Sequence, residues 1–139
     1  MGHEITFGYN GGMSFKGEVN GHELIIDADE GFGGNDIGPR PKPLLLVALI
    51  GCTSMDVVSL LKKMRVDFKD FKVTADGEMT EEHPKYYHKI KLTYNIWGTD
   101  LDHAKVEKAV TLSQERYCGV TAMLEKASEI KYEVIYHEG

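Results

Sequence analysis

Polar and apolar positions alternate every second residue over the first 30 residues, as in Glu4-Ile5-Thr6-Phe7 and Met13-Ser14-Phe15-Lys16-Gly17-Glu18-Val19. A period of two predicts strands with one covered face. Asn10-Gly11-Gly12 and Asn20-Gly21 separate the runs and are turn sequences, so this part reads as an antiparallel meander. The glycines and prolines between Gly31 and Pro43 then exclude regular structure and shape a loop that leads to a helix start at or near Pro43. The helix runs from about Leu44 to Arg65. It is apolar on nearly all sides for its first turns and amphipathic afterwards through Val57, Val58, Leu61 and Met64, which makes its first half central and enclosed.

Period two returns at about Phe68 to Met79 and again at Tyr86 to Trp97. In the second run His88, Ile90, Leu92, Tyr94 and Ile96 form one face against Tyr87, Lys89, Lys91, Thr93 and Asn95. Asp100 or Asp102 can cap a second helix through Ala104, Val106, Ala109, Val110 and Leu112. The step Tyr117-Cys118-Gly119 bends that helix before Val120 to Lys126 continues it, which places Cys118 near a helical break. Glu129 to Tyr136 forms a last strand. Strands, long helix, strands, helix and strand make an α+β fold, without the repeated alternation of a doubly wound sheet.

Composition narrows the class. With 139 residues of which 42% are hydrophobic, the chain is long enough for one core and short for two, so a single domain over residues 1–139 is expected. Its 22 acidic against 16 basic residues give a formal charge of -6, which argues against nucleic acid and anionic membranes as partners. The first residues lack the basic-then-apolar pattern of an export leader, and the apolar stretch Leu44 to Ile50 is far below the roughly 20 residues of a membrane span. A cytoplasmic protein is the expectation.

The candidate chemistry lies in two cysteines. Cys52 sits within the apolar run Leu44 to Val58, and Cys118 ends the polar stretch Ser113-Gln114-Glu115-Arg116-Tyr117. A thiol on a buried helix and another beside charges can divide into attacking and resolving roles, whereas free cysteine also serves as a small buried hydrophobe. Spacing alone favours the hydrophobe. Two distant cysteines in a core-bearing domain do not make a secreted disulfide scaffold, so both are read as reduced thiols. Asp56, one helical turn past Cys52, opposes a Cys52 thiolate if buried, and reads as a hydrogen-bond acceptor for a neighbouring backbone group or the Ser59 hydroxyl. Met55 and Met64 read as core filling. His83 and His88, with Glu81 and Glu82, lack a helical His-x-x-x-His pair, and Ser54 and Ser59 lack a Gly-x-Ser-x-Gly elbow, so neither metal nor hydrolase chemistry is expected.

The segments Arg40-Pro41-Lys42-Pro43-Leu44-Leu45-Leu46-Val47-Ala48-Leu49-Ile50-Gly51-Cys52-Thr53-Ser54-Met55-Asp56-Val57-Val58 and Val106 to Val120 resemble the two cysteine-bearing helices of the OsmC/Ohr family, the osmotically inducible and organic-hydroperoxide-resistance proteins. The order of elements agrees over essentially the whole chain. The stretch Gly-Cys-Thr-x-x-Asp-Val-Val at Cys52 is similar to the small OsmC-like branch. The resemblance implies an intertwined homodimer whose two long central helices are enclosed by sheets from both subunits, with active sites at the interface. It also implies a thiol peroxidase acting in oxidative or osmotic stress. Cys52 would be peroxidatic and Cys118 resolving, a small organic hydroperoxide the substrate and an external dithiol the reductant, with no bound cofactor or metal.

An unperturbed thiol of pKa near ~8.5 is only about 3% thiolate at pH 7, and lowering it to ~6 takes roughly 3.4 kcal/mol of preferential thiolate stabilisation. Active members of the family supply a guanidinium from the N-terminal hairpin and a glutamate that holds it. The matching positions here are Met13, after Gly11-Gly12, and Lys42. Arg40, in the loop entering the Cys52 helix, is the candidate substitute cation, and Arg116 a second; each also reads as a solvated arginine. The alternative from another class is a non-catalytic protein that binds a small apolar or electrophilic ligand in the same interface pocket.

Overall fold

A computed structural model describes all residues from Met1 to Gly139. The chain forms two compact units, Met1–Leu45 and Leu46–Gly139. The first holds the expected meander of β1 (Phe7–Tyr9), β2 (Phe15–Val19) and β3 (His22–Ile26), paired antiparallel in that order. β1 begins three residues after the alternation starts at Glu4, and its first pair is Phe7 with Gly17. Asn20 and Gly21 take φ of 53° and 81° between Val19 and His22, which is the twist a two-residue hairpin needs and the reason for asparagine and glycine there.

The loop after β3 is bracketed by one carboxylate. Asp27, 3% exposed, accepts from the backbone N–H of Ala28 at 2.7 Å, Asn35 at 3.0 Å and Ile37 at 3.2 Å. Desolvation works against its charge, but these three donors and the nearby Arg40 outweigh it and hold the carboxyl below its usual range. The loop is not wholly irregular, as its composition suggested. Asp29 caps a short 3-10 turn over Glu30–Phe32, with its side chain accepting from the Phe32 N–H.

The helix α1 spans Pro43–Lys63, opening at the expected proline. In the second unit it is followed by β4 (Asp70–Met79), β5 (Tyr87–Trp97), α2 (His103–Leu112), α3 (Gly119–Leu124) and β6 (Glu129–His137). β4 and β5 are antiparallel, whereas β6 returns parallel to β5 with Lys89 opposite Glu129 and Trp97 opposite His137. A parallel return needs a crossover, and α2 and α3 supply it. Asp102 caps α2, accepting from the Lys105 N–H at 3.2 Å.

The core joins the β5 face Ile90, Leu92, Tyr94 and Ile96 to Leu49, Val57 and Leu61 of α1 and Val106, Ala109 and Val110 of α2. On α1 the fully buried positions Leu49, Thr53, Val57 and Leu61 recur every fourth residue and make one stripe. Outside it the helix is open: Leu45 is 48%, Val47 59% and Met55 76% exposed. The first turns are therefore not enclosed by their own chain. The helix as a whole is also longer and more apolar than the run Leu44 to Ile50 suggested. Its most apolar 18 residues have a mean hydropathy of 2.2, a value that by length and composition alone a membrane-spanning helix shares. The buried stripe marks it as a core helix of the second unit.

Leu61 is wholly buried within that stripe, so Leu61→Ala removes packed methyl groups and leaves a void costing about 2–5 kcal/mol. Urea denaturation checks this; a loss under about 1 kcal/mol would show that the core closes over the gap.

Candidate active site

Cys52 and Asp56 lie one turn apart on α1, each one residue before a member of the buried stripe, Thr53 and Val57. They flank the core and are both half-buried. Cys118 reaches them from the crossover. After α2 the chain makes one π-helical turn over Ser113–Tyr117, closed by the Cys118 N–H donating to the Ser113 carbonyl at 2.7 Å. Cys118 then takes extended backbone angles and caps α3, its Sγ accepting from the Thr121 N–H at 3.4 Å. The break expected at Tyr117-Cys118-Gly119 is thus a wide turn followed by a cap. The consequence is convergence: one ligand atom each from Cys52, Asp56 and Cys118 lie within 4.8 Å of one another.

Burial of the two thiols runs opposite to their sequence surroundings. Cys118, at the end of a polar stretch, is only 3% exposed, while Cys52 in the apolar run is the more accessible. The π turn explains it, because it turns Ser113 and Gln114 inward and leaves Glu115, Arg116 and Tyr117 on the surface. Burial pushes the Cys118 thiol above its ordinary value; hydrogen bonding by Thr121 opposes that, and the Cys52 sulfur adds to it.

A chain of buried hydroxyls orders the site. Thr53 Oγ1 lies 2.6 Å from Tyr94 Oη and 2.8 Å from Ser113 Oγ, and Ser113 Oγ donates to Asp56 Oδ2 at 3.0 Å. Gln114 Nε2 donates to Thr53 Oγ1 at 3.1 Å and Tyr94 Oη at 2.9 Å, while its Oε1 accepts from Thr121 Oγ1 at 3.2 Å. Counting donors assigns every proton. An ionised Asp56 only accepts, so Ser113 gives it its one proton; Thr53 must then donate to Ser113, and Tyr94 to Thr53. All the dipoles point at the Asp56 carboxylate. Asp56 is thus an acceptor as expected, but for Ser113 and not for Ser59, which is exposed.

Neither arginine has a hydrogen bond within this network. Arg40 donates from Nη1 to the Gly38 carbonyl at 2.7 Å and the Asp27 carbonyl at 3.4 Å, and from Nη2 to Asp36 Oδ1 at 2.5 Å. The Asp36 hydrogen bond raises its pKa against desolvation, with the charges of Asp36, Asp29 and Asp27 assisting. Arg116 is exposed, with its guanidinium carbon 5.6 Å from the centre of the Tyr117 ring. Met13 is 52% exposed, and Lys42 is exposed. His88 pairs with Glu78 at 2.8 Å.

Residues 33–133 match the profile of the OsmC-like proteins, which covers both cysteines and most of the chain. The chain belongs to the OsmC family. Among its relatives is protein YhfA of Escherichia coli (strain K12), 42% identical over 127 residues that cover 89% of this chain and 92% of that one. The fold recurs in a hypothetical protein from Aquifex aeolicus VF5, with a TM-score of 0.82, 32% identity and 96% of each chain covered. It recurs also in an organic hydroperoxide resistance protein OsmC from Legionella pneumophila, with a TM-score of 0.69 over 95% of this chain and 96% of that one. At 16% identity this second likeness concerns the fold. The α+β architecture implied by the cysteine-bearing segments is therefore that of the OsmC/Ohr proteins.

Desolvation raises the Tyr94 phenol from its ordinary 10.0 to about 12, against the hydrogen bonds of Thr53 and Gln114 and with smaller help from Cys118 and Tyr132. The folded state keeps this proton when the unfolded chain releases it. Stability tied to it is complete below pH 10 and falls by about 3 kcal/mol as pH rises through 12. Tyr94→Phe is expected to lower stability at pH 7 by about 1–3 kcal/mol, through the lost hydrogen bonds, and to flatten the alkaline limb. Part of that limb remains, because burial and Glu107 push Tyr136 up to about 12 as well. Urea midpoints from pH 7 to 11 measure both effects, and parallel profiles for variant and wild type would refute the Tyr94 assignment.

Proposed function

We propose that this OsmC-like protein is a thiol-dependent peroxidase that reduces small organic hydroperoxides. The observation that carries the reading is the convergence of Cys52 and Cys118, 66 positions apart in sequence, with their sulfurs within 4.8 Å. The names of relatives in the family, such as the organic hydroperoxide resistance protein of Legionella pneumophila, support the substrate class. The accessible Cys52 is the attacking thiol, and the buried Cys118 the resolving one.

The cycle balances as follows. The Cys52 thiolate attacks the distal oxygen of the hydroperoxide, forming Cys52–SOH and breaking the O–O bond; the alkoxide takes a proton and leaves as the alcohol. Cys118 then attacks the Cys52 sulfur, an S–S bond of about 2.05 Å replaces the S–O bond, and water leaves. Asp56 is the nearby carboxylate that accepts the Cys118 proton. An external dithiol reduces the disulfide by exchange and is itself oxidised. Arg40 is assigned the cation of the thiolate, for which it must exchange its present hold on Asp36. A homodimer completes the site, with the exposed α1 residues Leu45, Val47 and Met55 covered by the second copy.

A second reading is favoured by Met13 and Lys42, which replace the arginine and glutamate of active family members. It makes the protein a binder of a small apolar or electrophilic ligand at the same interface, without turnover.

Stopped-flow oxidation of the reduced protein separates the two readings. The peroxidase is expected to react faster with cumene hydroperoxide than with hydrogen peroxide and to yield a Cys52–Cys118 disulfide by mass spectrometry. Cys52→Ser abolishes that reaction, and Cys118→Ser leaves a sulfenic acid that dimedone traps. Oxidation at the rate of a free thiol would give the function to ligand binding. Arg40→Met is expected to slow the first step by about 10-fold or more if the guanidinium serves the thiolate; an unchanged rate removes Arg40 from the mechanism and leaves the thiols in it.

A further inference from the structure

The same three side chains form a different kind of site when both thiols are reduced. A tetrahedral zinc ion with Zn–S bonds of about 2.3 Å holds two sulfurs about 3.8 Å apart, and a carboxylate oxygen slightly nearer. The Cys52, Cys118 and Asp56 ligand atoms already lie within 4.8 Å of one another, so small side-chain torsions close them on one ion. Their placement is fixed independently. Cys52 and Asp56 share a face of α1, Cys118 is held by its cap bond to the Thr121 N–H, and Asp56 is oriented by Ser113 at the end of the hydroxyl chain. Ligating carboxylates in metal sites are oriented by outer hydrogen bonds in this way.

The donor chemistry points in the same direction. Asp56 takes part in none of the chain's ion pairs, which leaves its carboxylate available to a cation. Two sulfurs with one oxygen suit a thiophilic ion over magnesium or calcium. We infer that the reduced protein binds one thiophilic divalent cation of the zinc class per chain through Cys52 Sγ, Cys118 Sγ and an Asp56 oxygen. The fourth tetrahedral position stays open to water or an exchangeable ligand. In the binding step each protonated thiol loses its S–H bond and gains an S–metal bond, its proton passes to the buffer, and no atom changes oxidation state. Metal and peroxide then compete for the same sulfurs, and the loaded protein is the form protected from oxidation.

The test is an anaerobic titration of the reduced full-length chain with Co2+, read as a tetrahedral thiolate spectrum, followed by displacement with Zn2+ against a chromophoric chelator. One ion per chain is expected, with protons released as the thiols become ligands. Cys52→Ser and Cys118→Ser should each abolish the charge-transfer band, and Asp56→Asn, which still offers Ser113 an acceptor, should weaken binding by about 10-fold or more. The disulfide form of the wild-type chain, prepared with diamide, should not bind until it is reduced, a control that changes no residue. No saturable binding tighter than roughly 100 μM, or binding unchanged in the disulfide form or in Asp56→Asn, would overturn the site. The outcome is independent of turnover. A chain that binds metal yet ignores hydroperoxides loses the peroxidase reading alone, and a fast peroxidase without a cobalt spectrum loses this one.

Discussion

The hydrogen-bond chain from Tyr94 through Thr53 and Ser113 to Asp56 ties together three segments that local sequence would leave independent: α1, β5 and the π turn. Each link is short and buried, and every buried side-chain polar atom of the molecule has a partner. A partly satisfied network of this kind is worse than an apolar core; a complete one sets distances within tenths of an ångström. It also sets direction, because one carboxylate at its end orders every hydroxyl proton behind it. The thiols lean on this frame. Cys52 is the residue before Thr53, and Cys118 caps a helix whose Thr121 is bound to the Gln114 that braces the chain.

Much of the architecture was legible because local physics and tertiary packing agree. Pro43 opens α1, Asn20-Gly21 makes its hairpin, Asp102 caps α2, and Ile90 to Ile96 point their even-numbered side chains into the core. Strand lengths came within one or two residues for β4, β5 and β6. What sequence periodicity missed is long-range. Asp56 and Ser113 are separated by 57 positions, and nothing local identifies serine as the donor. The thiols inverted their burial because one π turn rotates the following residues relative to an ordinary helix, a geometry with no composition signal. The acidic member of the thiol cluster was likewise visible as a helical neighbour of Cys52 but not of Cys118.

The exposed side of α1 illustrates the same division. Apolarity around the whole helix does not single out a buried face, and only the fold reveals which stripe the chain covers itself. The first unit shows the complement. Its long glycine- and proline-bearing loop looks unstructured by composition, yet a single buried aspartate gathers three backbone donors and gives it a fixed course. Arg40 lies at the end of that course, and its local partners explain its placement without reference to any thiol.

The parallel pairing of β5 with β6 has a temporal meaning. Lys89 meets Glu129 and Trp97 meets His137, so the strand that pairs with β5 follows it only after the whole crossover. Pairing across so long a loop is slow to form, because loop closure precedes the reward. Cys118 lies within that crossover, so the meeting of the two thiols is a long-range contact that belongs to the completed fold and to no local segment of it.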